Sequence, residues 1–283
     1  MIQPLKRGRE LIEEIETTPC RTPALWWLGQ SGFVVKYHEI IFYIDPYLSD
    51  WLATGDGPGG GPRRRRIDSP LRPGEIRHAD LILCTHRHAG HMDPGSLPRM
   101  LAASPQGKLV LPKSAAEYAR SLGIDYARMT TTDADLRVEF FKGGIYARVY
   151  AAPSAHDQLE WTPLGGYPFL GYLLRFGGFT IYHPGDCIPY DGLVERLRPY
   201  NVTVALLPIS GRGKQPRGGN FDVAEAAQLA EDIGARWLAP MHYDLFASDG
   251  TDVNRFIDHM LGQRPAQRFK IFQCGEGWIV PED

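Results

Sequence analysis

Three histidines stand close together directly after an apolar run that is typical of a buried strand. The stretch Leu81–Asp93 reads LILCTHRHAGHMD and places His86, His88 and His91 within six residues, out of nine histidines in the chain. Neutral imidazole is the commonest metal ligand in proteins, and alternation along an extended chain puts His86 and His88 on one side. The pattern therefore predicts a metal site rather than a histidine-rich surface turn.

Three further polar residues follow strand-like runs elsewhere in the chain and could complete such a site. They are His156, Asp186 and His242. Alone, each would more often be an ordinary loop or core residue. A catalytic zinc-type centre takes three protein ligands and leaves one position open for water, so a single loop does not complete it. We therefore expect these strand-end residues to join the histidine cluster.

The order of these candidate ligands along the chain resembles that of the metallo-β-lactamase superfamily. The motif Thr85-His-x-His-x-x-His91, a lone histidine, a Gly-Asp pair and a final histidine follow one another between Trp27–Gly32 (WLGQSG) and His242. The chain is most similar to the branch of the bacterial ascorbate-6-phosphate lactonases, through Ile44–Asp50 (IDPYLSD), Tyr182–Asp186 (YHPGD), Leu207–Arg212 (LPISGR) and His242–Phe246 (HYDLF). The resemblance implies an α/β (α+β) fold, a four-layer αββα sandwich, formed by residues 1–283 as one domain.

The resemblance also implies two metal sites that share one carboxylate. The first would be formed by His86, His88 and His156, and the second by His91 and His242, with Asp186 bridging the two. Asp45 matches a position that orients the ligands without binding the metal itself. Asp186 and His242 are also the candidates for a direct part in catalysis. The expected cofactor is a divalent metal, Zn or Mn, with one or two ions per chain.

One residue departs from the family pattern. An aspartate normally stands just before the third histidine and binds the second metal, but this chain has Gly90 there. Asp93 could not take that place without a shift in the backbone. We therefore expect a tight first site and a weak or empty second one, and a non-catalytic metal-binding or ligand-binding protein becomes an alternative.

A metal held by neutral imidazoles lowers the pKa of bound water toward ~7, which predicts a hydrolase. The expected substrate is a small, anionic ester or sugar-phosphate lactone; a phosphodiesterase of the same fold is the alternative. The candidate substrate contacts are Arg63, Arg64, Arg212 and Tyr243. The arginines come from Arg63–Arg66 and from the segment 211–217, both of which could equally be exposed loops. Aromatic residues could instead line an apolar pocket: Tyr47, Trp51, Trp161, Tyr167 and Phe169.

The composition excludes several other classes of protein. With 31 Lys+Arg against 33 Asp+Glu, the formal net charge of -2 gives no pull toward nucleic acid. No apolar run approaches the ~20 residues that span a bilayer, and the N-terminus lacks the apolar core of a secretory signal. We expect a cytoplasmic protein that acts on a small molecule, with four scattered cysteines as thiols, and with self-association suggested by the lactonase branch.

The elements that must position these residues are strands mixed with helices. Short runs at Ala24–Leu28, Phe33–Tyr37 and Ile40–Ile44 predict an antiparallel meander. Asp222 could cap a helix that ends at Gly234. Other predicted features are strands at Leu81–Cys84, Tyr146–Tyr150, Tyr172–Phe176, Phe179–Tyr182 and Val204–Leu207, a hairpin at Gly177-Gly178, a capping box from Ser114 to Glu117, and a mobile Gly/Pro/Arg loop at 55–70.

Overall fold

Two mixed β-sheets form the centre of the protein. The computed structural model describes residues 3–55, 61–212, 219–247 and 252–282, and within these ranges it has two seven-stranded sheets. The strands of the first sheet are Ala24–Gly29 (β1), Gly32–Tyr37 (β2), Ile40–Ile44 (β3), Leu81–Leu83 (β4), Lys108–Pro112 (β5), Met129–Thr132 (β6) and Gly277–Ile279 (β14). Their order is β14-β1-β2-β3-β4-β5-β6, antiparallel from β14 to β3 and parallel from β3 to β6.

The second sheet has the same mixed character. Its strands are Arg137–Lys142 (β7), Ile145–Pro153 (β8), Leu170–Phe176 (β9), Phe179–His183 (β10), Val204–Pro208 (β11), Trp237–Met241 (β12) and Arg268–Phe269 (β13). The order is β13-β12-β11-β10-β9-β8-β7, with parallel pairing from β13 to β10 and antiparallel pairing from β10 to β7. Strand β11 is buried along its whole length, as expected for a parallel strand inside a sheet.

The predicted turns and one of the two predicted caps are confirmed. The meander β1-β2-β3 is antiparallel, and Gly177-Gly178 joins β9 to β10 with a φ of +57° at Gly177. Asp222 forms a capping box with Glu225. The predicted capping box from Ser114 is wrong, because a 3-10 turn precedes that helix and no side chain caps it. The α-helices are Gly8–Thr17 (α1), Leu97–Ala103 (α2), Ala116–Ser121 (α3), Leu193–Leu197 (α4), Val223–Asp232 (α5) and Val253–Gln263 (α6).

Apolar packing holds the layers together. Alternate residues of each strand face opposite sides of its sheet, so Trp27 and Phe33 pack between the two sheets. Trp26 points the other way and joins Leu11 of α1 and Met100 of α2 in a second buried cluster. Helices α5 and α6 contribute buried residues to the cluster that contains Trp27 and Phe33. The predicted αββα arrangement is thereby confirmed.

Part of the segment predicted as a mobile loop is tied to the body of the protein. Residues 56–60 lie outside the described residues. Arg65 is buried, and its guanidinium donates hydrogen bonds to the main-chain carbonyls of Tyr47 (2.9 Å), Ser49 (3.3 Å) and Ile67 (3.0 Å). Of the four clustered arginines, Arg65 is therefore directed inward and is not free to meet a substrate.

Among the described helices, none combines the length and the apolar character that crossing a membrane would require.

The capping box at the start of α5 gives a stability prediction. The Asp222 carboxylate accepts a hydrogen bond from the main-chain N–H of Glu225 at 2.9 Å. We expect Asp222→Ala to lower the free energy of unfolding by about 1 kcal/mol, while Asp222→Asn, which keeps an acceptor oxygen, changes it by less than half as much. Urea unfolding followed by circular dichroism measures both. Equal losses in the two variants would contradict the capping role.

Candidate metal centre

The predicted ligands lie at one edge of the two sheets because the strands that carry them run in the same direction. His86, His88 and His91 follow β4, His156 follows β8, Asp186 follows β10 and His242 follows β12. Strands β8, β10 and β12 end at the same edge of the second sheet, since two antiparallel pairings separate β8 from β10 and parallel pairings join β10 to β12. Residues separated by more than 150 positions are thus brought into one cluster.

The first group of donors consists of His86, His88, His156 and Asp186, whose ligand atoms all lie within 4.8 Å of one another. Nε2 of His86 is 2.9 Å from Nδ1 of His88. Oδ2 of Asp186 lies 3.9 Å from His86 Nε2 and 3.6 Å from His156 Nε2. This set includes the three histidines that the sequence analysis assigned to a first metal.

The second group consists of His91, His242 and Asp186. The other carboxylate oxygen of Asp186, Oδ1, lies 3.2 Å from His91 Nε2 and 3.4 Å from His242 Nε2. Each oxygen of Asp186 therefore faces a different group of imidazoles. This is the geometry required of a carboxylate that bridges two cations.

The chemistry of the donors fits divalent metal ions. Ring nitrogens of His86 and His88 point at each other, and Oδ1 of Asp186 is buried without a hydrogen-bond partner among the described residues. Buried polar atoms normally have partners, so a carboxylate oxygen that makes no hydrogen bond among converging imidazoles fits a role as a cation ligand. Imidazole suits Zn, and added carboxylate oxygens also suit Mn.

Asp45 contacts the loop that carries His86, His88 and His91. Its carboxylate accepts hydrogen bonds from the main-chain N–H of Thr85 at 2.8 Å and from the Thr85 hydroxyl at 2.6 Å. Oδ2 of Asp45 is also 2.7 Å from Nδ1 of His91. Because this contact occupies Nδ1, it directs Nε2 of His91 toward Asp186. Asp45 therefore contacts His91 through the ring nitrogen that does not face Asp186, and its role in orienting a metal ligand stays a prediction.

Burial and nearby charges shift the pKa values of the histidines in different directions. Burial, with neighbouring imidazoles, lowers the pKa of His88 to about 4 and that of His86 well below the usual value of 6.5. Burial also acts to lower the pKa of His91, but the carboxylates of Asp186 and Asp45 outweigh it and raise that pKa to about 10. Without metal, His86 and His88 are therefore neutral at pH 7, whereas His91 carries a proton.

The second group lacks the side chain that the family pattern normally supplies. Among the described residues, a Cβ atom built at Gly90 would meet only Leu52 Cδ1, at 4.0 Å, so these residues leave room for a side chain. A residue that the sequence analysis did not single out, Gln30, lies close by: its Nε2 atom is 2.6 Å from His242 Nε2. Gln30 stands in the turn between β1 and β2, and only its place in the WLGQSG motif could have drawn attention to it.

Two of the four candidate substrate residues have their polar groups engaged elsewhere in the protein. Tyr243 is a correction: its ring stacks on Trp27 at 4.7 Å, and its buried hydroxyl donates to the Phe272 carbonyl, so it serves the core. Arg212 forms two hydrogen bonds with the carboxylate of Glu225.

The two remaining candidates lie in the segment after residue 60. Arg63 lies over the ring of Phe246 and Arg64 is exposed. The cations at 214 and 217, which the sequence analysis grouped with Arg212, lie outside the described residues. Any contact of Arg63 or Arg64 with a substrate stays a prediction.

A cavity of about 680 Å³ opens beside the first group of donors. Its lining is mostly polar: Arg87, His88, Ser114, His156, Asp157, Gln158, Glu160, Pro168 and Phe169. Phe169 was among the aromatic residues predicted to line a pocket, and its ring stacks on His156 at 4.9 Å. Trp161 of the same set is 58% exposed. Arg87 and Ser114 were not predicted to line the cavity, because Arg87 drew no attention between two candidate ligands and Ser114 was interpreted as a helix cap.

The cysteines beside the ligands are not arranged as metal ligands. All four are free and buried. Cys84 Sγ is directed at the main-chain carbonyl of His91, and burial raises its pKa well above the usual value. Burial likewise raises the pKa of Cys187 to about 12. Both therefore remain protonated thiols at neutral pH.

Comparison with known proteins agrees with this geometry. Residues 42–243 match the family model described as "Beta-lactamase superfamily domain". This span covers most of the chain and contains all six candidate ligands. The chain therefore belongs to the beta-lactamase superfamily, as a metal-dependent hydrolase of the metallo-β-lactamase fold.

Particular relatives give the same result. A UPF0173 metal-dependent hydrolase of Pyrococcus horikoshii is 28% identical over 241 residues, which are 81% of this chain and 88% of the relative. Among solved structures, the metallo hydrolase Igni18 of Ignicoccus hospitalis has a TM-score of 0.70 at 19% identity, covering 93% of this chain and all of that one. An isothiocyanate hydrolase from Delia radicum gut bacteria has a TM-score of 0.72 at 17% identity, covering 92% and 100%. These two structures show the shared fold.

The protonation states predict that the two groups respond differently to pH. His91 must release its proton before a cation can bind, so the affinity for the second ion should rise by up to about tenfold per pH unit toward pH 10. His86 and His88 are already neutral, and the affinity for the first ion should change much less between pH 6 and 9. Calorimetric titration with MnCl₂ across this range measures both. A second affinity that does not change with pH would contradict the assignment of His91.

Proposed function

We propose that this metal-dependent hydrolase cleaves a small anionic ester or lactone, with a sugar-phosphate lactone as the favoured substrate. The observation that supports hydrolysis most directly is the carboxylate of Asp186, whose two oxygens face two separate groups of imidazoles beside an open cavity. A divalent ion at such a centre supplies Lewis acidity, which acidifies water and polarises a scissile carbonyl or phosphoryl oxygen. The relatives named as metal-dependent hydrolases support the same class of reaction.

The protein's own side chains would bind the ion, orient the water and support the shared carboxylate. His86, His88 and His156 would hold the first ion through uncharged imidazole nitrogens, which take away none of its positive charge. Asp186, at the junction of the two groups, would orient the attacking water by accepting a hydrogen bond from it. His242 lies on the other side of the same carboxylate, 3.4 Å from Oδ1, and helps to keep that carboxylate in place.

The lining of the cavity supports a hydroxylated substrate that carries one anionic group. Arg87 supplies a guanidinium, which suits a phosphate or carboxylate, and Ser114 supplies a hydroxyl. Asp157, Gln158 and Glu160 offer acceptors for the hydroxyl groups of a sugar. An apolar substrate would leave these groups without partners.

The cofactor and the compartment are further parts of the proposal. We assign the centre to Zn or Mn, with the first group binding more tightly than the second because it has four donors against three. The four free, buried cysteines match the state of thiols in a reducing compartment, which supports a cytoplasmic location.

Two alternatives have observations in their favour. Two neighbouring cations also suit the in-line displacement at a phosphodiester, so phosphodiesterase activity is the second candidate. The glycine at position 90 favours a non-catalytic metal-binding protein, because the second group lacks the additional carboxylate that the family pattern supplies at this position. Turnover of any lactone, ester or phosphodiester by the unmodified protein excludes the non-catalytic alternative.

Removal of first-group imidazoles tests the proposed hydrolase. We expect His88→Ala and His156→Ala each to lower kcat/KM for sugar-phosphate lactone hydrolysis by at least about a hundredfold, because each deletes a direct donor. Lactone opening is followed by proton release in weakly buffered solution. The same variants are assayed with bis(p-nitrophenyl) phosphate to separate lactonase from phosphodiesterase activity.

The matched control is His38→Ala. His38 lies in the turn between β2 and β3, at the opposite edge of the sheet from the donors. This control therefore makes the same histidine-to-alanine substitution away from the site. Its activity should stay within about twofold of the unmodified protein. Unchanged turnover in both first-group variants would overturn the proposed function.

A further inference from the structure

Gln30 is fixed against the strand that carries His242. Its main-chain carbonyl accepts a hydrogen bond from the main-chain N–H of His242 at 3.0 Å and another from the indole N–H of Trp27 at 3.0 Å. Both Gln30 and His242 have left-handed backbone conformations, with φ values of +52° and +62°. Residues 212 positions apart in sequence are therefore joined at the edge where the donors meet.

The side chain of Gln30 is buried among the donors of the second group. Only 3% of the residue is exposed, and its terminal amide lies 2.6 Å from His242 Nε2. That nitrogen of His242 is the one that faces Oδ1 of Asp186, at 3.4 Å. The amide therefore points at the place where a second ion would be bound.

One atom of this amide has no partner. With the nitrogen turned toward His242, the oxygen, Oε1, is buried and makes no hydrogen bond to the described residues. The oxygen and nitrogen of a glutamine amide are distinguished by the contacts that they make, and half a turn about the last side-chain bond exchanges them. In that orientation the oxygen faces the same point as His242 Nε2, and both atoms present lone pairs to a cation.

The glycine at position 90 explains why the second group needs a further donor. Gly90 stands where a carboxylate would normally bind the second ion, and it contributes no side-chain atom. His91, His242 and Asp186 alone make three donors. The neighbouring Asp93 cannot help, because its carboxylate accepts hydrogen bonds from Ser49 at 2.7 Å and from the main chain of Gly95 at 2.9 Å.

We propose that the amide oxygen of Gln30 is a ligand of the second metal ion and replaces the carboxylate absent at position 90. An amide oxygen is a neutral, hard donor, so the second site keeps one more positive charge than a site with two carboxylates. The second ion is consequently bound more weakly and exchanged more readily than the first. This inference rests on the proposed metal centre, but it does not depend on which substrate is cleaved.

Metal titration of the folded protein tests the proposal. Calorimetry with MnCl₂ at pH 8, together with elemental analysis, gives the number and affinity of bound ions. Gln30→Leu deletes the oxygen but keeps the main-chain carbonyl, and it should weaken the second ion at least about tenfold and leave the first unchanged. Gln30→Glu keeps an oxygen and adds charge, so it should bind the second ion more tightly than the unmodified protein.

A second-site substitution separates ligation from a structural role. Gly90→Asp restores the usual carboxylate at a position with room for it, so it should return the second ion to the Gln30→Leu protein. Electron paramagnetic resonance of the manganese-loaded proteins provides an independent readout, because two adjacent Mn²⁺ ions give a spin-coupled spectrum and one ion does not. That spectrum should be lost in Gln30→Leu and return in the double variant.

Several results would overturn the proposal. One is a Gln30→Leu protein that binds two ions with unmodified affinities; another is an unmodified protein that binds a single ion until Gly90→Asp is introduced. If Gln30→Leu does not fold, the Gln30→Glu protein decides, and an unchanged second affinity there counts against ligation. Failure of the proposed function looks different, since lactone and phosphodiester turnover would be absent while the titrations still showed the expected changes.

Discussion

The carboxylate of Asp186 is shared between two groups of imidazoles, and the remainder of the centre is arranged around this contact. Burial alone would raise its pKa, but the nearby histidines, chiefly His91 and His242, hold it well below the usual value of 3.8. The carboxylate itself is buried and still stays charged. A buried negative charge among neutral and positive rings attracts cations.

Support for this carboxylate comes from both sheets. Asp45 belongs to the loop after β3 in the first sheet, and through Thr85 and His91 it fixes the loop that follows β4. Asp186 and His242 come from the second sheet. The apolar packing between the sheets consequently does more than stabilise the fold, because any sliding of one sheet over the other would separate donors that must meet within a few ångströms.

The sequence correctly predicted that the candidate donors converge, but it predicted their surroundings less well. Runs of branched and aromatic residues located most central strands, and polar residues at the ends of those runs were correctly expected to converge. Strands such as β7 and β13 were missed because half-exposed or very short strands have weak patterns. Tyr243 was misassigned because a neighbour of a ligand in sequence need not face the same way. Gln30 was missed because its importance arises from a contact with a residue far along the chain, which no local pattern reports.

The left-handed conformations at the edge of the sheets carry a cost to folding. Gln30, Asp45 and His242 all have positive φ values, and none of them is glycine. Each such residue stores on the order of 1 kcal/mol of backbone strain that a glycine would relieve. Backbone conformation alone would thus favour glycine at all three positions. The same three side chains contact or belong to the candidate donors, so a glycine that relaxed the backbone there would remove contacts of this site and leave the apolar packing of the sandwich in place.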